Sequence, residues 1–404
     1  MAYDGSLRLM GQLAADLAAG GRQLDSEIGY LDPAVYTDPD RFAAEWDLLF
    51  HRQPLLAGHG SMLPDRGSVM TEDRLGIPMI LARGRDGRVR GFVNACRHRN
   101  TRVLAPGTAR RMSSLVCPYH NWVYGLEGEL RHIPCAEDGF PGLDPAGYGL
   151  APIPCREHQG WLWLQATPRG RMDLDGHLEG LAEDFDALGI AGLTLFRQHA
   201  VTRRTNWKLV VDAFLEVYHV KRLHSTTIGP YFLDTSARFE TVGRHIRAAV
   251  GRTGFEEVRR RPQAEWDDRS HVTLVHYVFP NTILVFHPDY VSQIALYPVS
   301  PDETVFVHSL LVPPFEGLPD ADKARAHYER SFALIDGEVF NKEDLAVCEA
   351  AQSAMRSGAN ERLTLGRFEL GVRLFHRILE EALAPGVPAG QPPGLPAGAT
   401  AGGA

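Results

Sequence analysis

The spacing of apolar positions divides the chain into stretches of different period. From Ser6 to Ala19 the residues Leu7, Met10, Leu13, Ala14 and Leu17 recur at helical spacing, and Asp38 to Phe50 (DPDRFAAEWDLLF) repeats the pattern, so two short amphipathic helices are predicted. Between about Pro54 and Ala166 the chain turns to short apolar runs (PMILA, GFVNA, SLVCPY, GWLWLQA) broken by Gly, Pro, Asp and Asn, which predicts a small antiparallel β domain. Beyond Arg169 helix and strand mix. DLDGHLEGLAEDFDALG reads as helix, and LTLFRQHAVTRRTNWKLVV, HVTLVHYVFPNTILVFHP and SQIALYPVSPDETVFVHSLLVPP read as strands. Asp320 to Leu383 reads as helix again. The class is α+β, an antiparallel sheet with packed helices following an all-β unit. The divisions predicted are 1–45 (helical segment), 46–168 (β domain), 169–384 (α+β domain) and 385–404, a Pro/Gly/Ala tail with little to bury and expected to be disordered. No internal repeat is visible.

Composition narrows the classes. Forty-two Lys and Arg against 50 Asp and Glu give a net charge of −8, which offers no global attraction to nucleic acid or to an acidic membrane. The chain has no apolar run long enough to span a bilayer and no secretory-type N-terminus, so a cytoplasmic protein is expected. Five cysteines, an odd number, do not make a disulfide framework and point to metal ligation or burial.

Four residues carry the first chemistry. Cys96 and His98 form C-R-H, and 18 residues later Cys117 and His120 form C-P-Y-H, so two short loops each present one thiolate and one imidazole. Two thiolates suit one ferric iron. Two neutral imidazoles suit a second, reducible iron, because they leave the cluster less negative and raise its potential, which is the logic of a Rieske [2Fe–2S] centre. A Cys2His2 zinc site uses the same residue types but usually pairs like with like.

These segments, CRHRN and CPYHNWVYGLEGEL, resemble the large (α) subunits of Rieske non-heme iron oxygenases, a superfamily of aromatic ring-hydroxylating dioxygenases and quaternary-ammonium monooxygenases. The family usually has Gly where this chain has Asn100 and Asn121. Asn is the side chain that best tolerates the left-handed conformation a tight ligand loop needs, so the departures are compatible. Trp122 and Tyr124 are expected to wall the cluster from water.

The second constellation is NWKLVVDAFLEVYHVKRLHS, which contains Asn206, Asp212, Glu216, His219 and His224. On a helix Glu216 and His219 share a face while His224 lies about 140 degrees away, so a break near Arg222 is expected if both imidazoles meet one metal. Two His and a carboxylate on one side of Fe(II) leave adjacent positions open for dioxygen and substrate. The resemblance makes His219 and His224 ligands and places the third on the later helix FNKEDLAVCEAAQ. There Asp344 is preferred, with Glu343 and Glu349 as alternatives. It also implies that Glu216, where the family usually has Asp, links a cluster histidine of one subunit to a ligand histidine of its neighbour in a homotrimer. Asn206 and Asp212 are further catalytic candidates, with Asp212 the rival linker unless it pairs with Lys208 one turn away.

The activity implied is that of a terminal oxygenase. A ferredoxin or NAD(P)H-dependent flavin reductase would reduce the cluster, and dioxygen would hydroxylate a small organic substrate at the mononuclear Fe(II); a separate β subunit is compatible with the pattern. No G-x-G-x-x-G follows a strand, so the reductase lies on another chain. The alternatives are a Rieske electron carrier without oxygenase activity and a zinc-binding interaction module. Cys135, Cys155 and Cys348 are expected to be buried thiols, and the Arg-rich run 238–261 a solvated face or, less simply, a dock for an acidic ferredoxin. Pocket candidates are Phe214, Tyr218, Ile228, Tyr231, Phe232, Val278, Phe279, Phe286 and His287.

Overall fold

Apolar alternation between residues 194 and 312 resolves, in the computed structural model, into one seven-stranded antiparallel sheet. The structure describes residues 3–384, so the tail expectation for 385–404 lies outside the described residues. The strands are β1 (Thr194–Arg203), β2 (Phe232–Val242), β3 (His245–Arg252), β4 (Val272–Val278), β5 (Thr282–Phe286), β6 (Val291–Ser300) and β7 (Glu303–Val312), in the order β1-β7-β6-β5-β4-β3-β2. Because side chains alternate across a strand, the sheet sorts its residues between two cores. Val275, Val285, Ile294, Phe306 and Leu310 face one way, and Leu274, Leu284, Phe286, Val291 and Leu311 the other.

Helices cover both faces. Against Leu274 and its neighbours lie the N-terminal helix α1 (Asp4–Ala18), through Leu9, Met10 and Leu13, and the segment from Leu174 to Ile190. Each of these buried Leu and Met side chains contributes roughly 1.5–3 kcal/mol. One bidentate ion pair from Arg238 to Asp16, with hydrogen bonds of 2.5 and 2.6 Å, fixes α1 to the sheet, and Gly29–Leu31 pairs antiparallel with Leu363–Leu365. Residues 3–31 therefore pack on the α+β unit and not on the β domain they precede. The opposite face carries α2 (Trp207–Phe214), α3 (Ala321–Phe332), α4 (Leu345–Met355) and α5 (Leu370–Leu383). Between α3 and α4 the helix continues through wider π-helical turns over Ala333–Asp344, a form that concentrates at functional sites.

Several boundaries differ from the sequence pattern. The strand read over 193–211 stops at Arg203, because Asn206 accepts the N–H of Lys208 at 3.0 Å and caps α2. The helix read over 173–189 is two short pieces, Leu174–His177 and Ala182–Ala187, separated at Gly180, whose φ is +79°. The C-terminal helical stretch is interrupted by the strand Leu363–Leu365. The run 238–261 is not a solvated face: Arg247 is buried against Asp184 at 2.7 Å, and Arg238 holds Asp16. Cys348 is buried, but Cys155 is only half-buried and Cys135 is exposed.

The β domain holds three small antiparallel sheets. Five strands run in the order Pro152–Ile153, Val89–Val93, Met79–Arg83, Ser68–Glu72, Ala109–Arg111; a second sheet joins Cys155–His158, Trp161–Leu164 and Leu55–His59. The third, Leu115–Val116, Val123–Tyr124 and Leu130–His132, carries one of the loops described next.

Candidate functional site

Two loops of the β domain have the same construction. In the first, Cys96 N–H donates to Thr101 O at 2.8 Å and Asn100 N–H to Cys96 O at 2.9 Å; in the second, Cys117 N–H donates to Trp122 O at 2.9 Å and Asn121 N–H to Cys117 O at 3.0 Å. Closing each turn puts Asn100 at φ +58° and Asn121 at φ +57°. Both are left-handed, which explains why a residue tolerant of that region stands there.

The loops bring Cys96, Cys117, His98 and His120 together. The two imidazoles lie 4.6 Å apart between ring centres, and Trp122 stacks on His98 at 4.9 Å, 5° from parallel. Tyr124 Oη accepts the N–H of Arg97 at 2.9 Å and lies 3.1 Å from Cys96 Sγ, to which it donates when that sulfur is a thiolate. Burial pushes the Cys96 thiol up and, with His120 and Arg99 nearby, the His98 imidazole down. His98 Nδ1 is buried with no hydrogen-bond partner. Two sulfurs and two imidazoles, one with a bare buried nitrogen, are the donor set a [2Fe–2S] group of mixed ligation needs. Tyr119, packed on His120, is 53% exposed, so this edge of the domain faces outward.

A second cluster sits between the sheet and the π-helical segment. Ligand-capable atoms of His219, His224 and Asp344 all lie within 4.8 Å of one another. His224 Nε2 is 3.0 Å and His219 Nε2 3.7 Å from Asp344 Oδ1, yet that oxygen, buried, accepts no hydrogen bond. Atoms about 2.1 Å from a common ion and at right angles would be about 3.0 Å apart, so the spacing fits ligands of one metal. The other nitrogen of each ring is held by a carboxylate. His219 Nδ1 bonds Glu216, and His224 Nδ1 lies 2.6 Å from Glu343, which also accepts the Thr227 hydroxyl at 2.9 Å. Such partners fix the tautomer and leave Nε2 free to take a metal. Burial lowers the His224 pKa, but Asp344 and Glu343 outweigh it and the net shift is upward.

Local structure explains the convergence. Helix α2 ends at Phe214, and Glu216 accepts the backbone N–H groups of Tyr218 and His219, forming a turn that leaves the helix before His219. The break therefore comes ahead of the first histidine, not near Arg222, and the single turn Val220–Leu223 separates the two rings. Gly371 of α5 lies against this turn: a Cβ there would be 2.2 Å from Leu215 O.

Other candidates are placed elsewhere. Glu349 bonds Arg203 and the N–H of Arg204, and Glu343 takes the outer nitrogen of His224, so Asp344 alone of the three carboxylates faces both rings. Asn206 is spent on its cap and on Tyr36 O and Pro301 O. Asp212 does not pair with Lys208. It accepts the Tyr36 hydroxyl at 2.6 Å and lies 3.0 Å from His376 Nε2, while Lys208 turns to Glu45 at 2.7 Å. Neither Asn206 nor Asp212 lines the pocket below.

That pocket, about 660 Å³ including its open mouth, holds the three convergent residues among Phe214, Glu216, Val217, Ile228, Phe232, Val250, Thr273, Val275, Val285, His287, Ile335, Val339 and Phe340. Phe214, Ile228, Phe232 and His287 were expected here. Tyr218 and Tyr231 are exposed, and Val278, Phe279 and Phe286 are buried away from the lining. Missed were Val275, Val285 and the π-segment residues Ile335, Val339 and Phe340; strand alternation from His287 would have found Val285.

Known families match the two regions of the chain in which these clusters lie. The family description "Rieske [2Fe-2S] domain" matches residues 53–153, and "Ring hydroxylating alpha subunit (catalytic domain)" matches residues 190–384. The carnitine monooxygenase oxygenase subunit of Escherichia coli K12 is 25% identical over 362 residues, 86% of this chain and 91% of that protein. The biphenyl 2,3-dioxygenase α subunit of Rhodococcus jostii is 31% identical over 209 residues, 48% of this chain and 43% of that one. Among solved structures, a quaternary ammonium Rieske monooxygenase in complex with L-carnitine superposes with a TM-score of 0.73 at 20% identity, covering 88% of this chain and 96% of that one. Naphthalene 1,2-dioxygenase from Rhodococcus sp. bound to indole gives 0.74 at 19% identity, covering 95% and 99%.

Proposed function

Because the chain belongs to the Rieske non-heme iron oxygenases, as a large subunit with a Rieske cluster and a mononuclear iron, we propose that Cys96, His98, Cys117 and His120 hold the first and His219, His224 and Asp344 the second. It is a terminal oxygenase, an oxidoreductase that takes electrons from a partner and hydroxylates a small organic substrate with dioxygen. When bound, the cluster carries single electrons and the iron activates dioxygen beside the substrate. The chain's own residues do the rest. Glu216 and Glu343 fix both imidazole tautomers, Tyr124 donates toward Cys96, Trp122 keeps water from His98, and the aliphatic wall holds the substrate dry.

The convergence of His219, His224 and Asp344 on one side of an apolar pocket carries this reading. Among the described residues no Lys or Arg lines that pocket, while Phe214, Phe232, Phe340 and six valines do. A neutral, largely hydrocarbon substrate fits best. A second reading has one specific support: three phenylalanines beside Glu216 could accept a trimethylammonium group, and several relatives are named for carnitine or glycine betaine. Single turnovers of reduced holoenzyme with biphenyl, naphthalene, carnitine and glycine betaine, read by mass spectrometry, separate the two. Hydroxylated arene supports the first, and a demethylated or hydroxylated amine the second. One added oxygen atom or two distinguishes mono- from dioxygenation.

Glu216 is proposed to face a cluster histidine of a neighbouring copy in a homotrimer, supported by the outward edge at His120 and by a related monooxygenase described as showing inter-subunit electron transfer. The electron donor is proposed to be a ferredoxin or an NAD(P)H-dependent flavin reductase. A cytoplasmic location follows from that supply of reduced nucleotide. Among the described residues no helix is long and apolar enough to cross a membrane. Native mass measurement of the holoenzyme tests the trimer.

A further inference from the structure

Dioxygen chemistry consumes protons as well as electrons. Monohydroxylation (RH + O2 + 2 e⁻ + 2 H⁺ giving ROH + H2O) and ring dihydroxylation (Ar + O2 + 2 e⁻ + 2 H⁺ giving the diol) both take up two protons for two electrons. The pocket's aliphatic and phenylalanine walls offer water few hydrogen-bond partners.

One connected set of polar side chains crosses the core to this pocket. His199 on β1, with 45% of its side chain exposed, places Nδ1 2.9 Å from Asp336 Oδ2. Asp336, in the π-helical segment, places Oδ1 3.0 Å from Nδ1 of His308 on β7. His308 Nε2 is 3.1 Å from Oγ of Ser292 on β6, and Ser292 Oγ is 3.4 Å from Nε2 of His287, whose ring lines the pocket. His308 and Ser292 are fully buried. Phe332 stacks on the His308 ring at 5.2 Å and Phe340 meets it edge-on at 5.0 Å, which shields the middle of the path from water. Asn341 Nδ2 donates to the backbone O of Asp336 at 2.6 Å and pins the carboxylate's position. The five residues come from three strands, the end of a fourth and one helical segment, so local sequence effects do not account for the alignment. A path with one end in solvent and the other in the pocket is more than an isolated buried network needs.

We propose that His199, Asp336, His308, Ser292 and His287 deliver protons from solvent into the substrate pocket. The inference rests on the oxygenase reading and deepens it. His199 takes a proton from water at Nε2 and gives one from Nδ1 to Oδ2 of the Asp336 carboxylate; Asp336, neutral only while it holds that proton, turns and gives it to His308 Nδ1. His308 gives one from Nε2 to Ser292 Oγ, and Ser292 gives its own to His287 Nε2, which releases one from Nδ1 into the pocket. One proton enters and one leaves; Asp336 passes through its neutral acid, and every member returns to the charge it started with.

The test is stopped-flow reoxidation of reduced holoenzyme by dioxygen with naphthalene as the probe, for wild type, His199→Ala, Ser292→Ala and Asp336→Asn, each checked for iron and sulfide content. The relay predicts reoxidation about tenfold slower in His199→Ala, substantially restored by imidazole in the buffer. It predicts a loss of about a hundredfold in Ser292→Ala and Asp336→Asn, which imidazole does not restore because the gap is buried. A purely structural network gives no imidazole rescue. A neutron structure of the oxidised holoenzyme supplies an independent readout, a deuteron on each of the four links. Wild-type reoxidation with His199→Ala equally fast, or a link without a deuteron, overturns the relay and leaves the oxygenase reading intact. Wild type that holds no iron overturns both.

Discussion

His224 Nδ1 lies 2.6 Å from Glu343 Oε2, while its Nε2 lies 3.0 Å from Oδ1 of the very next residue, Asp344. Adjacent carboxylates on the π-helical turn thus take opposite sides of one imidazole, and the proposed function has one orient the ring and the other share its metal. The division predicts separable phenotypes. Asp344→Ala should lose the mononuclear iron while keeping two iron and two sulfide, about the content of a Rieske cluster. Glu343→Gln should keep iron but bind it about 10–100-fold more weakly, read by chelator competition.

Tyr124 predicts a change in potential without loss of the cluster. Its hydroxyl donates toward Cys96 Sγ, and a donor at sulfur stabilises the added negative charge of the reduced state. Tyr124→Phe should lower the midpoint potential by something on the order of tens of millivolts, measured by redox titration of the visible spectrum.

Stability should fall in mild acid. His245 is buried with Nε2 donating to His177 O at 2.7 Å and Nδ1 accepting the N–H of Phe279 at 3.1 Å, an arrangement only the neutral ring can make. Burial pushes its pKa down from 6.5 to about 4, so its contribution is fully present above the unfolded value and is lost as pH falls from 6.5 toward 4. The loss amounts to about 3 kcal/mol, and urea midpoints should drop accordingly, with a shallower pH dependence in His245→Gln.

The buried pair of Lys208 and Glu45, 2.7 Å apart and each 1% exposed, should be costly to break on one side. Lys208→Met should destabilise by about 3 kcal/mol in chemical denaturation, because the buried Glu45 keeps its charge with only Arg41, 2.9 Å away, to balance it; adding Glu45→Gln should recover part of that.

The chain's chemistry was more legible than its boundaries. That Cys96, His98, Cys117 and His120 come together could be read because their loops are local: each Cys–His pair lies within four residues, and the left-handed Asn100 and Asn121 follow from the tight turns. Asp344 required a resemblance, since nothing near residue 344 records that residues 219 and 224 will be its neighbours. The pocket was half legible. Phe286 and His287 are consecutive and point to opposite faces, so without the sheet's orientation a one-residue choice decides lining or core. Asn206 illustrates a different limit. Its cap ends one element and begins another inside an apolar run that reads as continuous strand.

The central claim, two metal centres in one chain, is tested most directly by iron and acid-labile sulfide per chain, with EPR of the reduced protein purified without oxygen. About three iron and two sulfide with a Rieske-type signal is the predicted result. Zinc without sulfide would contradict both centres, and two iron with two sulfide would leave an electron carrier and contradict the site at His219, His224 and Asp344.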